Sequence, residues 1–503
     1  MTVDREIRMQ AGMVRGGERD ARGVLAFKGI PYAAPPLGPL RWRAPQPPAS
    51  WDGVRDAQVF GAGCLSALEN DPRPGPRDED CLYLNVWTAA RRDDERRPVM
   101  VWIHGGGFQF GSSAMPVSDG GLLAAAGVVV VSFNYRLGIL GFLAHPELDA
   151  EGPSGNYGLQ DQLAALRWVR ENIAGFGGDA GNVTLFGESA GAMAVGMLMA
   201  SPLAQGLFHK AIGQSGAFWD GKNGPLQGFD EARARGLGFA GGRRIAALRA
   251  MPAAQVNGEA LWSFQTNPVV AAFSPSVDRH VVPDLPARRF LQGRQMPIPL
   301  LAGWNGTEGY PFPAQSLPAP SAQVFRAAAE AMFGRDRMAE FLKVYPAETD
   351  AQAKASAAAL TGDYVIAEQC WQWLRLHRLS GAAVYGYLFD YTSAYTPIAS
   401  HVTEIPFVFG TLTPQQVLGS TMPPGEADRA LSHTMMRYWV NFATQGDPNG
   451  PDLPPWPAYG ADDVVQILGR TVAAGRTPQA DRFRFLGSFR QDGALPMRWR
   501  DLG

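Results

Sequence analysis

Cysteine is scarce in this chain, since only three of its 503 residues are cysteines. So few cysteines exclude the small disulfide-rich scaffolds, in which several bridges replace a hydrophobic core. Cys64 and Cys81 are close enough in sequence to close a short loop. They could be two buried free thiols or a bridge, which would contribute roughly 3 kcal/mol of stability. Cys370 has no evident partner.

An excess of charge of either sign is also missing. The chain has 45 lysine and arginine residues against 47 acidic residues, which gives a formal net charge of -2. Nucleic acids and anionic membrane surfaces attract proteins with a basic excess, so neither is expected as a partner.

Long apolar runs are missing as well. The longest, from Leu122 to Val131, is about half the length that a membrane-spanning helix needs, so no transmembrane segment is predicted. Residues 1–30 contain no apolar core of a secretory signal, which is therefore expected to be either absent or already removed.

The apolar residues that are present make up 46% of the chain against 18% charged residues, which is enough for a substantial core. Apolar, strand-like runs alternate with helical segments, and they lie at residues 99–104, 128–135, 183–187, 299–303 and 384–391. This alternation predicts an α/β protein whose large, mostly parallel sheet is flanked by helices on both faces.

Residues 1–503 are predicted to form a single domain. The proline-rich segment 31–48 contains aromatic residues that a solvated linker would not need, so it is expected to be an ordered loop across the core. Segments at about 220–298 and 310–380 are helical in pattern and lack strand signals, which predicts cap-like insertions at the edge of the sheet.

Residues 187–191 read Gly-Glu-Ser-Ala-Gly and fit the G-x-S-x-G nucleophile elbow. An apolar strand precedes them and an alanine- and methionine-rich helix, 190–200, follows, as the motif requires. A one-residue reversal brings strand and helix backbones together, so only small residues at 187 and 191 leave room. Ser189 is therefore the predicted nucleophile, held in a strained conformation with its hydroxyl exposed.

Residues 104–108 read His-Gly-Gly-Gly-Phe and follow another apolar strand, as does the H-G-G-G element that donates amides to an oxyanion. The amides of Gly106 and Gly107, with that of Ala190, are predicted to bind the negative oxygen of a tetrahedral intermediate. Each such donor is worth roughly 100- to 1000-fold in rate.

A serine needs a base, and in the α/β-hydrolase fold the order is serine, then acid, then histidine. His377, His401 and His433 satisfy that order, but His377 and His433 lie in helical patterns that favour a surface or packing role. His401 lies in a loop after the strand 384–391, where a catalytic histidine is expected.

The acid must lie between Ser189 and His401 at the end of a strand. Glu308 follows the apolar run 299–303, whereas Asp278 and Asp284 satisfy the order alone. From the residues by themselves, all three carboxylates remain candidates.

Six motifs in register resemble the type-B carboxylesterases, a family that includes the cholinesterases and the bacterial para-nitrobenzyl esterases. The motifs are Phe-Lys-Gly-Ile-Pro-Tyr-Ala at 27–33, Glu-Asp-Cys-Leu-Tyr-Leu-Asn-Val at 79–86, Asn-Tyr-Arg at 134–136, Phe-Gly-Gly-Asp at 176–179, Phe-Gly-Glu-Ser-Ala-Gly at 186–191, and Phe-Ala with Gly-Asp-Pro at 442–448. The resemblance extends over nearly the whole chain and implies the α/β-hydrolase fold.

The resemblance also assigns individual positions. The family's acid matches Glu308, which precedes a glycine, and its histidine matches His401. The family further implies that Ser215 hydrogen-bonds the acid and that Glu188 lies beside the nucleophile, where it steadies the water or the histidine.

A bridge between Cys64 and Cys81 is implied by the same resemblance. A periplasmic or secreted location is favoured if that bridge forms, and a cytoplasmic one otherwise. The protein is expected to be a monomer or a weak homo-oligomer.

The predicted function is that of a serine carboxylesterase, which hydrolyses small-molecule carboxylic esters through an acyl-enzyme on Ser189. His401 would act as general base and then general acid, and Glu308 would orient it. Phe108 and Trp219 are predicted to line an apolar acyl pocket, because family members place aromatic residues there.

Two other functions use much of the same sequence. An amidase needs the same triad. A cholinesterase-like interaction protein would have lost the nucleophile, whereas this chain retains Ser189. The G-x-G-x-x-G at 236–241 follows a charged helical run rather than a strand, which disfavours dinucleotide binding. No cofactor is expected, and no metal, because no cluster has metal-ligand spacing.

Overall fold

A ten-stranded sheet forms the centre of the molecule in the computed structural model, which describes residues 2–68, 71, 75–217, 226–261, 273–310, 317–414 and 421–489. Its strands, in chain order, are β3 (Leu25–Pro31), β7 (Tyr83–Thr88), β8 (Arg97–Ile103), β9 (Val129–Phe133), β10 (Gly178–Glu188), β11 (Lys210–Gln214), β12 (Leu300–Asn305), β13 (Val384–Phe389), β14 (Val464–Leu468) and β15 (Val472–Arg476). A second, three-stranded sheet contains β1 (Glu6–Arg8), β2 (Met13–Arg15) and β4 (Val54–Asp56). A third sheet pairs β5 (Gly63–Cys64) with β6 (Arg77–Asp78).

The order across the large sheet is β15-β14-β13-β12-β11-β10-β8-β9-β7-β3. Pairing is parallel from β14 to β9 and antiparallel at both ends of the sheet. The carboxyl ends of β8, β10, β11, β12 and β13 therefore meet at one edge, which is where open α/β sheets bind ligands.

All five predicted strands are present, as β8, β9, β10, β12 and β13, and the predicted helix 190–200 is Ala190–Met199. The mostly parallel sheet flanked by helices is thus confirmed. Side chains of β8 show why both faces are covered: Val99, Val101 and Ile103 lie in one core cluster, whereas Met100 and Trp102 lie in the other.

The helices are α1 (Gly121–Ala125), α2 (Gly138–Phe142), α3 (Pro146–Asp149), α4 (Tyr157–Asn172), α5 (Ala190–Met199), α6 (Phe229–Ala240), α7 (Ile245–Ala250), α8 (Ala253–Gly258), α9 (Pro286–Leu291), α10 (Ala322–Phe333), α11 (Met338–Val344), α12 (Asp350–Gly362), α13 (Glu368–Arg378), α14 (Ile405–Phe409), α15 (Glu426–Gln445) and α16 (Ala480–Gly487). A π-helical turn, Asp363–Ala367, joins α12 to α13.

The two predicted insertions are helical where the structure describes them, containing α6 to α9 and α10 to α13. Parts of them form small cores of their own: α10, α11 and α12 pack with α16, and α6 and α7 pack with Trp42. That residues 1–503 form a single domain stays a prediction.

The proline-rich segment 31–48 lies against the core, as predicted, and several of its side chains are buried. The indole of Trp42 is buried and donates a hydrogen bond to the carbonyl oxygen of Ile139 at 3.0 Å. The neighbouring Arg41 is also buried, and its guanidinium binds both carboxylate oxygens of Glu79. It also donates to the carbonyl of Met251 at 2.7 Å, which fastens the end of α7 to this segment.

Cys64 and Cys81 are joined by a disulfide, which confirms the pairing that the family resemblance implies. Their Cα atoms are 4.9 Å apart, within the range that a bridge requires. Cys370 is a buried free thiol on α13. Burial raises the pKa of that thiol well above its ordinary value, so it remains protonated at neutral pH.

Replacing both Cys64 and Cys81 by serine should lower the free energy of unfolding by about 3 kcal/mol, because the unfolded chain gains the freedom of an unclosed loop. Urea unfolding followed by fluorescence measures the loss. A reductant should lower the midpoint of the natural protein and leave that of the double variant unchanged. Equal midpoints for the two proteins without reductant would contradict the prediction.

Candidate active site

The turn after β10 has the conformation that the elbow motif predicts. Ser189 has φ 54° and ψ -123°, a strained backbone for a residue with a side chain, and α5 begins immediately after it. A Cβ on Gly191 would overlap the carbonyl oxygen of Ile103 at the end of β8, and a Cβ on Gly187 would lie 2.6 Å from the carbonyl carbon of Gly191. The small residues are thus a steric requirement. The amide of Ser189 donates to the carbonyl of Gln214 at 2.8 Å.

The glycine loop after β8 lies directly beside this turn, because Ile103 is paired with Gly187 across the two strands. A Cβ on Gly105 would lie 3.1 Å from Cβ of Ser189. Gly106 and Gly107 have φ values of 110° and 60°, which favour glycine, and a Cβ on Gly107 would meet only open space. The amides of Gly106 and Gly107 therefore have no side chains of their own to cover them.

His401 lies in the loop after β13 and is almost completely buried. Its Nδ1 is 2.7 Å from Oε2 of Glu308, which follows β12. The other oxygen of that carboxylate accepts a hydrogen bond from the amide of Asn305 at 2.6 Å. The two loops are also joined through the backbone, since the amide of Thr307 donates to the carbonyl of Ala399 at 2.8 Å. The imidazole is thereby oriented with Nε2 facing away from Glu308.

Glu188 lies on the Nε2 side of this imidazole. Its Oε1 is 3.2 Å from Nε2 of His401, although the pair does not have hydrogen-bond geometry. Burial raises the pKa of Glu188 well above its ordinary value, against the opposing effect of His401. Burial by itself lowers the pKa of His401, but the carboxylates of Glu188 and Glu308 outweigh it and raise that pKa to about 9.

Comparison with known proteins places this site in a family. A model described as the carboxylesterase family matches residues 3–486. The chain belongs to the carboxylesterase family. This confirms the resemblance seen in the sequence, and the protein is a serine esterase that hydrolyses carboxylic esters.

Three relatives show how far the similarity extends. The carboxylesterase is 40% identical over 485 residues to fumonisin B1 esterase of Sphingopyxis macrogoltabida, covering 93% of this chain and 86% of that protein. It is 37% identical to para-nitrobenzyl esterase of Bacillus subtilis (strain 168), with coverage of 94% and 96%. It is 34% identical to cocaine esterase of Homo sapiens, with coverage of 95% and 89%.

Solved structures of PNB esterase have the same fold. Two of them match the carboxylesterase with TM-scores of 0.80 and 0.82 at 33% identity, covering 96% of this chain and 99% of theirs. The predicted α/β-hydrolase fold is confirmed.

Sequence reasoning missed a buried network behind the site of this carboxylesterase. Glu404 is fully buried, and its two oxygens accept hydrogen bonds from Nε2 of Gln214 at 3.0 Å and Nδ2 of Asn305 at 2.6 Å. The same Nδ2 of Asn305 also donates to the carbonyl of Ser400 at 2.8 Å. Glu404 therefore connects the ends of β11 and β12 with the His401 loop. Its spacing of three residues from His401 was visible in the sequence, but its partners were not.

The contact predicted for Ser215 is not formed. Its Oγ is buried without a hydrogen-bond partner among the described residues, and its amide donates to the carbonyl of Gly303. The bonds that the structure gives to the carboxylate of Glu308 come from Asn305 and His401 instead. The prediction that Ser215 bonds to the acid is therefore wrong for this structure.

The two residues predicted to line an acyl pocket have different outcomes. Phe108 is completely buried, with its ring 5.5 Å from that of Phe142 in an edge-to-face contact. A side chain without accessible surface does not line an open pocket in this structure, so that part of the prediction is corrected. Trp219 lies outside the described residues.

The rival histidines and carboxylates have other surroundings. His377 is buried on α13 with Nε2 2.7 Å from the carbonyl oxygen of Ile298, and His433 is exposed on α15. Asp278 accepts hydrogen bonds from backbone amides in a turn, and Asp284 pairs with Arg288 at the start of α9.

Three further features bear on function. The G-x-G-x-x-G at 236–241 lies in α6 and its carboxyl-terminal cap, not between a strand and a helix. The described part of the chain contains no group of three or more histidine, cysteine or acidic side chains able to hold a metal ion. No described helix is long and apolar enough to cross a membrane.

Glu404→Gln should destabilise the carboxylesterase by about 1–3 kcal/mol, because an NH2 group would face one of two buried amide donors that now bond to the carboxylate. Chemical unfolding measures the change. The exposed Glu348→Gln is the matched control and should stay within about 0.5 kcal/mol of the natural protein. Equal stability of the two variants would show that the network contributes nothing measurable.

Proposed function

We propose that Ser189, His401 and Glu308 are the catalytic triad of this carboxylesterase, and that the amides of Gly106, Gly107 and Ala190 form its oxyanion hole. The orientation of His401 supports the proposal most strongly. Its Nδ1 is occupied by Glu308 at 2.7 Å, and its Nε2 lies 3.2 Å from Glu188, the residue that precedes the serine. An imidazole held in this way presents Nε2 to the elbow.

Acylation begins when Oγ of Ser189 attacks the ester carbonyl carbon while its proton passes to Nε2 of His401. The C–O bond to the alcohol then breaks, and Nε2 returns the proton to the leaving oxygen. Glu308 stabilises the transient imidazolium through Nδ1 and does not itself take the proton. An acyl-enzyme and a free alcohol result.

Deacylation repeats these steps with water as the nucleophile. His401 takes a proton from the water as it attacks the acyl carbon, and returns it to Oγ of Ser189 as the acid leaves. We assign Glu188 a supporting role beside the imidazole, where it steadies the water or the histidine.

Carboxylic esters, rather than amides, are the proposed substrates. The three relatives are named for esterase activities on different compounds, namely fumonisin B1, a para-nitrobenzyl ester and cocaine. Such diversity on one fold argues that the loops around the site select the ester.

Ser189→Ala should lower turnover of para-nitrophenyl esters by at least about 10⁴-fold while the melting temperature stays nearly unchanged, because only the oxygen of one half-buried side chain is lost. An organophosphate should add a single adduct to the natural protein, seen by intact mass, and none to the variant. The matched control is Ser201→Ala, which removes a buried hydroxyl without a partner among the described residues. It should keep its activity.

Retained turnover in Ser189→Ala would overturn the assignment of the nucleophile. A matched anilide tests the amidase alternative in the same assay: hydrolysis of the anilide as fast as the ester would contradict the proposed substrate class.

The acidic limb of kcat/KM should have a midpoint above pH 6.5, the ordinary pKa of a histidine. His401 accepts a proton only when neutral, and the neighbouring carboxylates raise its pKa, so the cation persists to a higher pH. Rates on an uncharged ester from pH 5 to 10 measure the midpoint. Activity regained at pH 8 after incubation at each pH excludes unfolding, and a midpoint at or below 6.5 would contradict the prediction.

A further inference from the structure

The three amides of the proposed oxyanion hole are oriented from behind, through the carbonyl groups of the same peptide units. A trans peptide is planar, and its N–H and C=O point in opposite directions. Whatever holds the carbonyl oxygen therefore decides where the amide points. The carbonyls concerned belong to Ser189, Gly106 and Gly105, each of which precedes one of the three amides.

Two of these carbonyls are held by backbone donors. The oxygen of Gly106 accepts hydrogen bonds from the amides of Gln109 at 2.9 Å and Phe110 at 3.1 Å, which orients the amide of Gly107. The oxygen of Ser189 accepts from the amide of Met193 at 2.9 Å in the first turn of α5, which orients the amide of Ala190. The donors are backbone N–H groups, so among single substitutions only a proline at a donor position would remove one of them directly.

The third carbonyl is held by a side chain. Nδ1 of His104 lies 2.8 Å from the oxygen of Gly105, in the peptide unit that carries the amide of Gly106. A carbonyl oxygen only accepts, so Nδ1 carries the proton in this bond. A single side chain thus orients one of the three proposed donors.

The imidazole of His104 is itself held tightly. It is 5% exposed and stacks on the ring of Tyr135 with centroids 4.5 Å apart and planes 20° apart. The hydroxyl of Tyr135 donates to the carbonyl of His104 at 3.0 Å. Gly111 leaves the space for the ring, because a Cβ on it would overlap Nδ1. The surroundings therefore fix both the position and the rotation of the imidazole.

We propose that His104 is a positioning residue of the oxyanion hole, which orients the amide of Gly106 through the carbonyl of Gly105. The inference rests on the proposed function of Gly106. Its effect is selective for the transition state, because the aimed amide bonds more strongly to an oxyanion than to the carbonyl of a bound ester. The loss of His104 should therefore act on kcat more than on KM.

The test compares His104→Ala with His104→Asn. Loss of one oxyanion donor costs about 100- to 1000-fold, and a misdirected donor should cost about 10- to 100-fold in kcat with KM nearly unchanged. Asparagine places an N–H donor close to the position of Nδ1 and should recover about tenfold of that loss. His377→Ala is the matched control, since it also deletes a buried imidazole bonded to a backbone carbonyl, that of Ile298. It should leave kcat unchanged.

A second readout separates orientation from general damage to the fold. A trifluoromethyl ketone adds to the serine as a tetrahedral oxyanion, so its affinity should fall by the same factor as kcat/KM in His104→Ala. The corresponding methyl ketone, which binds as a planar carbonyl, should keep its affinity.

Several outcomes would overturn the inference: unchanged kcat in His104→Ala, equal losses in the alanine and asparagine variants, or equal loss of affinity for both ketones. None of these outcomes would contradict the proposed triad, provided that Ser189→Ala is still inactive and the natural protein still takes up the organophosphate. Failure of that serine test would instead remove the proposed function on which the role of His104 depends.

Discussion

The contact between the backbones of β8 and β10 is the constraint on which the site depends. The carbonyl oxygen of Ile103 occupies the space where a side chain on Gly191 would begin, and Gly187 is packed against the same turn. Because of this approach, the glycine loop and Ser189 face each other across adjacent parallel strands. A larger side chain at either glycine would separate the strand ends, and with them the proposed nucleophile and the proposed oxyanion donors.

Burial of carboxyl groups around one imidazole is the second constraint. Glu188, Glu308 and Glu404 are all buried near His401, and burying charged groups costs free energy unless hydrogen bonds and opposite charge offset it. Glu308 and Glu404 accept hydrogen bonds from amide donors and the imidazole. Burial nevertheless raises the pKa of both Glu188 and Glu404. The strained backbone of Ser189 adds to this cost. Burial of apolar side chains in the large cores on both faces of the sheet offsets it.

Features that depend on neighbouring residues were predicted from the sequence, whereas features that depend on contacts between distant residues were not. Strands of continuous apolar residues were predicted, but β11 was not, because it begins at Lys210 and contains a glycine in an otherwise short run. Ser215 follows that strand, and its expected bond to Glu308 is absent among the described residues. The role inferred for His104 was likewise invisible in the motif, which identifies the glycines but not what orients their amides.

By itself, the sequence determined the nucleophile elbow, the glycine loop and the strands that lead into them. Those features are short-range, because a tight turn restricts the residues at adjacent positions. Only the tertiary structure places Glu308, rather than Asp278 or Asp284, against His401, and brings the Cα atoms of Cys64 and Cys81 within 4.9 Å. Such choices depend on distances between side chains from separate loops, which the packing of the strands and helices sets and which the order of residues along the chain does not.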